Sequence, residues 1–219
     1  MKKFFAFTLA EVLITLGIIG VVSALTLPNF LHNYYEKQTV AKLKSTYSIL
    51  SRAIKLSSED NGLPEEWNMT GRNKASSEIA ARKLLPYLKA ALDCGTDDID
   101  NKCVSKNRSL LNGTVIEWGT NSYKILLLNG ASLIIAGGEQ SNGIYLYFQV
   151  DINGIAKPNV WGRDIFEFSY RENLGLLPSG NPQNASNTYK TFCKDTNSTG
   201  YGCAYYVLQF GNMNYLRKK

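Results

Sequence analysis

Four cysteines are the residues whose types and spacing most clearly carry chemistry. They form two close pairs, Cys94 with Cys103 and Cys193 with Cys203. No histidine lies near either pair in the sequence, so a mixed zinc site is not favoured. Four cysteines allow three connectivities, but pairing within each close pair closes two short loops at low entropic cost. The sequence therefore predicts these two local disulfides and an oxidising compartment outside the cytoplasm.

A second set of residues, Asp151, Asn153 and Asp164, could supply oxygen ligands to a calcium ion. Their spacing departs from the helix-loop-helix calcium motif, because no third oxygen-bearing residue precedes Gly154 and no glutamate closes the loop. Asp-x-Asn-Gly and Pro-Asn are also turn signals. We therefore expect a long connection between strands here, with a calcium site as the alternative and no other cofactor.

Enzymatic chemistry finds little support in the sequence. The single histidine, His32, follows the apolar N-terminal stretch, and the cysteines are expected in disulfides. The glycine-containing stretch AGGEQSNG, residues 136–143, is followed by no helical pattern, so it predicts a hairpin connection and not a phosphate site. The net charge of +6 comes from scattered basic residues, which disfavours a nucleic acid as partner. We expect that the protein is not an enzyme.

Residues 7–27 are long and apolar enough to cross a bilayer. As a helix, these 21 residues span roughly 31 Å, about the hydrocarbon thickness of a membrane. Lys2 and Lys3 precede them, which predicts a cytoplasmic N-terminus and an extracytoplasmic remainder. A secretory signal cleaved near Val22-Ser23-Ala24 is the competing interpretation. Glu11 and the uninterrupted helical pattern count against a signal, so we expect a single-pass anchor.

The segment AFTLAEVLITLGIIGVVSALTLP, residues 6–28, resembles the N-terminus of type IV pilins and of the pseudopilins of type II secretion systems. The likeness lies in a short basic leader, a small residue, Phe-Thr-Leu, a glutamate and an apolar helix. It implies that a prepilin peptidase cleaves between Ala6 and Phe7 and methylates the new amine of Phe7. Two positions depart from the family pattern, since Ala6 stands where glycine is usual and Ala10 where a larger apolar residue is common.

Glu11 places a charge inside this apolar helix. An unpaired carboxylate in hydrocarbon costs about 2.5–3.5 kcal/mol on insertion scales, so the residue is expected to have a partner or a function. The resemblance implies that this partner is the amine of Phe7 in a neighbouring subunit, and that the pair fixes the axial register of a filament. The alternative is that Glu11 lies at the headgroup level and neutralises Lys2 or Lys3 before cleavage.

One long helix is expected to connect the anchor to the globular part of the chain. Pro28 lacks an N–H and should kink this helix where it leaves the bilayer. Apolar residues beyond it recur at spacings of three and four, as in an amphipathic helix that packs on its own domain. These residues are Val40, Leu43, Tyr47, Leu50 and Ile54. The helix should end near residue 58, before Asn61-Gly62.

The remaining sequence predicts a second helix and an antiparallel meander. The helix covers the stretch that starts at Ser76, with Ser76 or Ser77 as its cap, Pro86 as an interruption and Gly95 after its end. A hairpin is expected at Asn129-Gly130. The predicted strands are residues 114–118, 123–128, 132–136, 144–150, 165–170 and 203–210.

The strand at 144–150 should bury one face and expose the other. Leu146, Phe148 and Val150 alternate with Tyr145, Tyr147 and Gln149, which predicts that the tyrosines face solvent. The expected fold class is α+β, a long N-terminal helix on an antiparallel sheet with two local disulfide loops, and the resemblance implies the same pilin-like arrangement. The chain then divides into a leader (1–6), a transmembrane helix (7–28), an amphipathic helix (29–60) and an extracytoplasmic domain (61–219).

These features predict a structural subunit of a type IV pilus or of a type II secretion-like filament, on the cell surface or in the periplasm. Its partners would be copies of itself or other pilins, and membrane lipid before assembly. By resemblance, a prepilin peptidase, a platform protein and an assembly ATPase would also act on it. The alternatives are an unprocessed membrane-tethered binding or adhesion protein and a minor pilin for DNA uptake.

Overall fold

The structure is a computed structural model that describes residues 8–116, 121–140, 143–183 and 188–218. The chain separates into two compact units, Met1–Gln38 and Thr39–Lys219. The first helix, α1, runs over Leu9–Asn61 and contributes to both units. It ends before Gly62, whose φ of 76° is the left-handed conformation that commonly terminates helices. The predicted long helix and its stop at Asn61-Gly62 are confirmed.

The second unit is built on a six-stranded antiparallel sheet in the order β1-β4-β5-β6-β7-β8. Two further short strands, β2 and β3, pair only with each other. The strands are β1 (Ala90–Gly95), β2 (Arg108–Ser109), β3 (Val115–Ile116), β4 (Tyr123–Leu127), β5 (Ser132–Gln140), β6 (Gly143–Asp151), β7 (Ile165–Arg171) and β8 (Gly175–Pro178). Strands β4 to β7 follow one another as a meander, as predicted, while β8 continues it and β1 is added at the edge beside β4, neither of which was predicted. The predicted strand at 114–118 is wrong as a member of this sheet, because its described part forms β3, which pairs with β2.

The β4–β5 hairpin forms at the predicted Asn129-Gly130. Gly130 has a φ of 82° and donates its N–H to the carbonyl of Leu127 at 2.9 Å. The N–H of Leu127 in turn donates to the carbonyl of Ala131 at 2.9 Å. Only a residue that tolerates positive φ fits this turn without strain, which is why the Asn-Gly pair indicates the hairpin so clearly.

The domain half of α1 packs its apolar stripe on one face of the sheet. Leu43 and Leu50 are fully buried. Tyr47 stacks on Phe168 of β7, with ring centroids 5.5 Å apart, and donates its hydroxyl to the carbonyl of Leu176 at 3.0 Å. The predicted alternation along β6 holds on this face, where Phe148 is also fully buried. The helix and this face of the sheet therefore share one apolar core.

The second helix, α2 (Lys74–Leu84), differs from the prediction at both ends. Its cap is Asn73, whose side chain accepts the N–H of Ser76 at 2.9 Å. Ser76 and Ser77 lie buried inside the helix. The helix does not resume after Pro86, because residues 90–95 form β1 and pair with β4. Edge pairing with β4 therefore overrides the helical periodicity that residues 76–94 suggest.

Gly137 explains how closely α2 approaches the sheet. A Cβ on Gly137 would lie 2.7 Å from Met69 Sδ and 2.8 Å from the carbonyl oxygen of Ser76. Only a residue without a side chain leaves room for the helix at this distance. The prediction of a hairpin connection over residues 136–143 is therefore wrong for its first part, since Gly137 and Gly138 lie inside β5.

The C-terminal region is helical, not extended. Residues 189–192 form a one-turn helix, α3 (Tyr189–Phe192), and residues 203–210 form α4 (Cys203–Phe210). The predicted strand at 203–210 is wrong because burial there follows a helical spacing, with Cys203, Ala204 and Val207 inside. Gly211 closes α4 with a φ of 66°.

Candidate functional site

The apolar N-terminal segment is the first candidate functional region. Within the described residues, one helical segment is long and apolar enough to cross a membrane, Leu9–Leu27, and none of it is buried within the chain. A segment of this kind near an N-terminus serves as a membrane anchor or as a signal sequence. Helix α1 continues through residue 28, so Pro28 does not end it, and the predicted kink stays a prediction.

Glu11 has a partner within its own chain. Its Oε2 accepts the backbone N–H of Thr8 at 2.8 Å and the hydroxyl of Thr8 at 2.8 Å. The N–H of Glu11 donates back to Thr8 Oγ1 at 3.3 Å. This reciprocal pattern is a capping box, which satisfies donors that the first turn of a helix leaves open. The predicted cleavage and methylation residues, Ala6 and Phe7, lie outside the described residues.

Thr8 is a functional candidate that was not predicted from the sequence. The order Thr-x-x-Glu before an apolar run is itself the signature of a capping box. A carboxylate that accepts two hydrogen bonds is less costly to place in an apolar surrounding than an unpaired one. Glu11 is therefore accommodated locally in the single chain, without the pairing to Phe7 that the resemblance implies.

Both predicted disulfides are present. Cys94–Cys103 joins β1 to the following loop and Cys193–Cys203 joins the end of α3 to the start of α4, with Cα atoms 6.2 Å and 5.0 Å apart. Asp98 lies near the first disulfide, but cysteines bonded to each other offer no thiolate to a metal ion.

Asp98 instead organises its loop. Its Oδ1 accepts the N–H groups of Lys102 and Cys103 at 2.9 and 3.2 Å. Its Oδ2 accepts the N–H of Val104 at 3.0 Å. Three backbone donors on one carboxylate hold the polar loop that the disulfide closes, which gives the first disulfide region a structural role.

The three predicted calcium ligands lie in one loop. Both carboxylate oxygens of Asp164 accept backbone N–H groups, from Asn159 at 2.7 Å and from Val160 at 2.6 Å. Asp151 Oδ1 accepts the N–H of Asn153 at 3.3 Å. Such side-chain to backbone hydrogen bonds are typical of turns, so this region forms the long connection between strands that the sequence predicts. Of the side-chain oxygens of the three predicted ligands, Asn153 Oδ1 is buried without a hydrogen-bond partner in the described part of the chain. A calcium site stays a prediction.

The second face of the sheet carries a buried polar layer where tyrosines were expected in solvent. Gln149 is 1% exposed and accepts from Arg108 Nη1 at 2.7 Å. Glu167, opposite Gln149 in the β6–β7 pairing, accepts from Trp161 Nε1 at 2.6 Å. Tyr147 is only half-exposed. The prediction of an open face is wrong because β2, which carries Arg108, and the loop that carries Trp161 cover it.

Burial shifts the acid–base equilibria of this layer. Burial raises the pKa of Glu167 to about 7 and lowers that of Arg108 to about 10. Burial, with the neighbouring Asp164, raises the pKa of Asp151 to about 8. Perturbed pKa values also occur at catalytic sites. Here, the groups lie in a packed layer whose hydrogen bonds join strands and loops.

Comparison with known families gives one match, to a family of unknown function (DUF6613) over residues 29–203. The chain belongs to this family. Neither the curated proteins nor the solved structures gave a match to the chain.

The DUF6613 match begins after the apolar segment and includes the four cysteines, the sheet and the buried polar layer. The family region therefore coincides with most of the folded unit. The segment Leu9–Leu27, with Glu11, precedes the matched residues.

Proposed function

We propose that this chain is a structural subunit of a type IV pilus or of a type II secretion-like filament, assembled through its N-terminal helix. The observation that most supports the proposal is the exposed apolar segment Leu9–Leu27 with Glu11 in its first turns. A separate unit with its own core and two disulfides follows it in the chain. A membrane-held helix joined to an oxidised extracytoplasmic domain is the organisation that a pilin requires.

The apolar segment suits a transfer from lipid to filament. Its side chains are exposed in the single chain, so lipid must cover them before assembly and helices of other subunits afterwards. Both surroundings are apolar, and the transfer therefore costs little hydrophobic free energy. Packing and polar contacts between helices are then left to decide which subunits join and in which register.

Glu11 supplies the polar contact in this proposal. The capping box with Thr8 engages Oε2 and lowers the cost of holding the carboxylate in the membrane. After cleavage between Ala6 and Phe7, the methylated amine of Phe7 would carry a positive charge. The Glu11 carboxylate of one subunit would pair with the Phe7 amine of the next, and this ion pair would fix the axial register.

Further partners belong to the same proposal. A prepilin peptidase would remove residues 1–6 on the cytoplasmic face, and a platform protein and an ATPase would drive extrusion. The two disulfides support an extracytoplasmic position for the domain. The buried polar layer holds the fold together, and we infer no catalytic activity from it.

Substitution of Glu11 tests the proposal. Glu11→Gln keeps an acceptor for Thr8 but removes the charge, and Glu11→Ala removes both. We expect both variants to reduce sheared filaments by about tenfold or more, since a loss of 1.4 kcal/mol already changes an equilibrium tenfold. The control is the disulfide-bonded, membrane-bound chain, whose amount should stay at the wild-type level. Normal incorporation of Glu11→Gln into filaments would contradict the register role.

A second candidate function is that of a monomeric, membrane-tethered binding protein whose anchor is never processed. The aromatic rings at α3 and α4 favour a binding role, because Tyr189 contacts Tyr205 and Phe210 at centroid distances of 5.4 and 5.8 Å, and Phe210 is 47% exposed. Exposed aromatic surfaces often contact ligands. A minor pilin that captures DNA would be both a filament subunit and a binding protein.

A further inference from the structure

The sequence contains five Asn-x-Ser/Thr triplets, the acceptor signal for N-linked glycans. Four lie within the described residues and start at Asn68, Asn107, Asn112 and Asn197. The fifth, at Asn184, lies outside them. The triplet by itself says little, because short motifs occur by chance. The structure discriminates between the four by the exposure of the whole triplet.

Three of the four asparagines have a buried or half-buried neighbour within the triplet. Met69, in the middle of the first triplet, is 2% exposed, and Arg108, in the middle of the second, is 4% exposed. In the fourth triplet, Ser198 and Thr199 are both half-buried. By contrast, Asn112, Gly113 and Thr114 are all exposed. Of the four described triplets, only this one is exposed over all three residues, and it is therefore the most accessible to a transferase in the folded protein.

The Asn112 triplet forms the tip of the β2–β3 turn. Leu110 donates to the carbonyl of Thr114 at 2.8 Å, and Gly113 donates to the carbonyl of Leu110 at 2.9 Å. Gly113 has a φ of 89°, and a Cβ placed on it would meet no atom within 4 Å. The surface around the middle residue of the triplet is therefore open.

The side chain of Asn112 is held in a defined conformation. Its Oδ1 accepts the backbone N–H of Thr114 at 3.1 Å, which closes an Asx turn. The carboxamide oxygen is therefore engaged within the turn. Nδ2 then remains as the group available for bonding outside the turn.

We propose that Asn112 is a site of N-linked glycosylation. The donor is a sugar on a lipid pyrophosphate. Asn112 Nδ2 attacks the anomeric carbon of this sugar, a C–N bond forms, the C–O bond to the pyrophosphate breaks, and the amide proton passes to a base of the transferase. The two disulfides favour an oxidising compartment outside the cytoplasm, and Asn-x-Ser/Thr acceptors are glycosylated in surface loops of secreted proteins. The inference does not depend on filament assembly.

Mass spectrometry of the protein from its native cells tests this assignment. Trypsin releases residues 109–124 as one peptide, in which Asn112 starts the only triplet. We expect this peptide to carry a glycan in the wild-type chain. Asn112→Gln and Thr114→Ala should both remove it, while Thr114→Ser should retain it at least in part. Asn107→Gln is the matched control, because its triplet is nearby and has a buried middle residue.

The same digest separates the competing outcomes, because Asn68 and Asn197 fall in other tryptic peptides. A glycan on one of them with residues 109–124 unmodified would overturn the assignment to Asn112. An unmodified mass for every triplet-containing peptide would overturn it as well. Both results leave the proposed filament role untouched.

Discussion

At the scale of single residues, Thr8 connects the chemistry of Glu11 to the stability of the helix. It contributes both a donor to the carboxylate and an acceptor for the N–H of Glu11. Replacing a capping residue typically costs about 1 kcal/mol. Thr8→Val keeps the shape and removes the hydroxyl, whereas Thr8→Ser keeps the hydroxyl.

We expect Thr8→Val to loosen the first turn of α1. Amide exchange at Glu11 and Val12, measured in detergent micelles, should accelerate by about fivefold, since 1 kcal/mol corresponds to that factor. Thr8→Ser should exchange like the wild type. Equal exchange rates in Thr8→Val and wild-type chains would show that the capping box does not stabilise the helix.

A second residue-scale prediction concerns Glu167. Its pKa is raised to about 7 by burial, so the folded state holds the proton more tightly than the unfolded state does. The contribution of Glu167 to the free energy of unfolding is fully present at a pH below the unfolded pKa of about 4.3. It is lost as the pH rises through the folded pKa of about 7. Between pH 4.5 and 7.5, the free energy of unfolding should therefore fall by about 1–3 kcal/mol because of Glu167.

The variant Glu167→Gln isolates this contribution. It keeps an acceptor for Trp161 but cannot ionise. Urea unfolding at several pH values should show that the wild type loses stability relative to the variant as the pH rises from 4.5 to 7.5. A difference that is independent of pH would contradict the assignment, and other acids such as Asp151 cancel in the comparison.

At the scale of elements, the Cys193–Cys203 disulfide holds α3 and α4 together. It closes a loop with a sequence separation of 10 residues, and both cysteines are buried. The chain-entropy relation gives roughly 2.7 kcal/mol for such a loop. We expect the double variant Cys193→Ala/Cys203→Ala to lose about 2–3 kcal/mol in urea unfolding.

Reduction provides the control for this prediction. A variant without any of the four cysteines should unfold identically with and without a reducing agent, whereas the wild type should lose stability on reduction. A Cys193→Ala/Cys203→Ala variant as stable as the wild type would show that packing around α4 alone holds the region.

The elements also show where sequence reasoning succeeds and where it fails. Local signals are sufficient at Asn129-Gly130 and at the end of α1, because a glycine with positive φ is required there whatever surrounds it. The same holds for the two disulfides, which close short loops. The β-rich composition of residues 203–210 predicts a strand, yet one buried face at helical spacing decides the outcome.

In the candidate site, too, local signals are visible in the sequence and long-range contacts are not. Glu11 is found from the sequence because a charge within an apolar run is visible there. Its partner Thr8 has a local signature that is easily overlooked. The buried layer of Arg108, Gln149 and Glu167 could not be predicted, because it depends on β2 and on the loop of Trp161, which fold over the sheet from other positions in the chain.

At the scale of the whole molecule, the two units differ in whether their apolar side chains are buried within the chain. Residues 39–219 contain a continuous apolar core, whereas Leu9–Leu27 exposes its apolar side chains. We expect a fragment of residues 29–219 to be a soluble monomer with both disulfides formed. Size-exclusion chromatography and thiol titration measure this. Aggregation of the oxidised fragment would show that the domain depends on the N-terminal segment for its fold.

The filament proposal depends on a processed N-terminus that meets Glu11 of a neighbouring subunit. Mass spectrometry of the N-terminal peptide from native, sheared surface material tests this most directly. The proposal predicts a chain that begins at Phe7 with a methylated amine. A chain that retains Met1 in assembled material would contradict it and would favour the unprocessed, membrane-tethered binding protein.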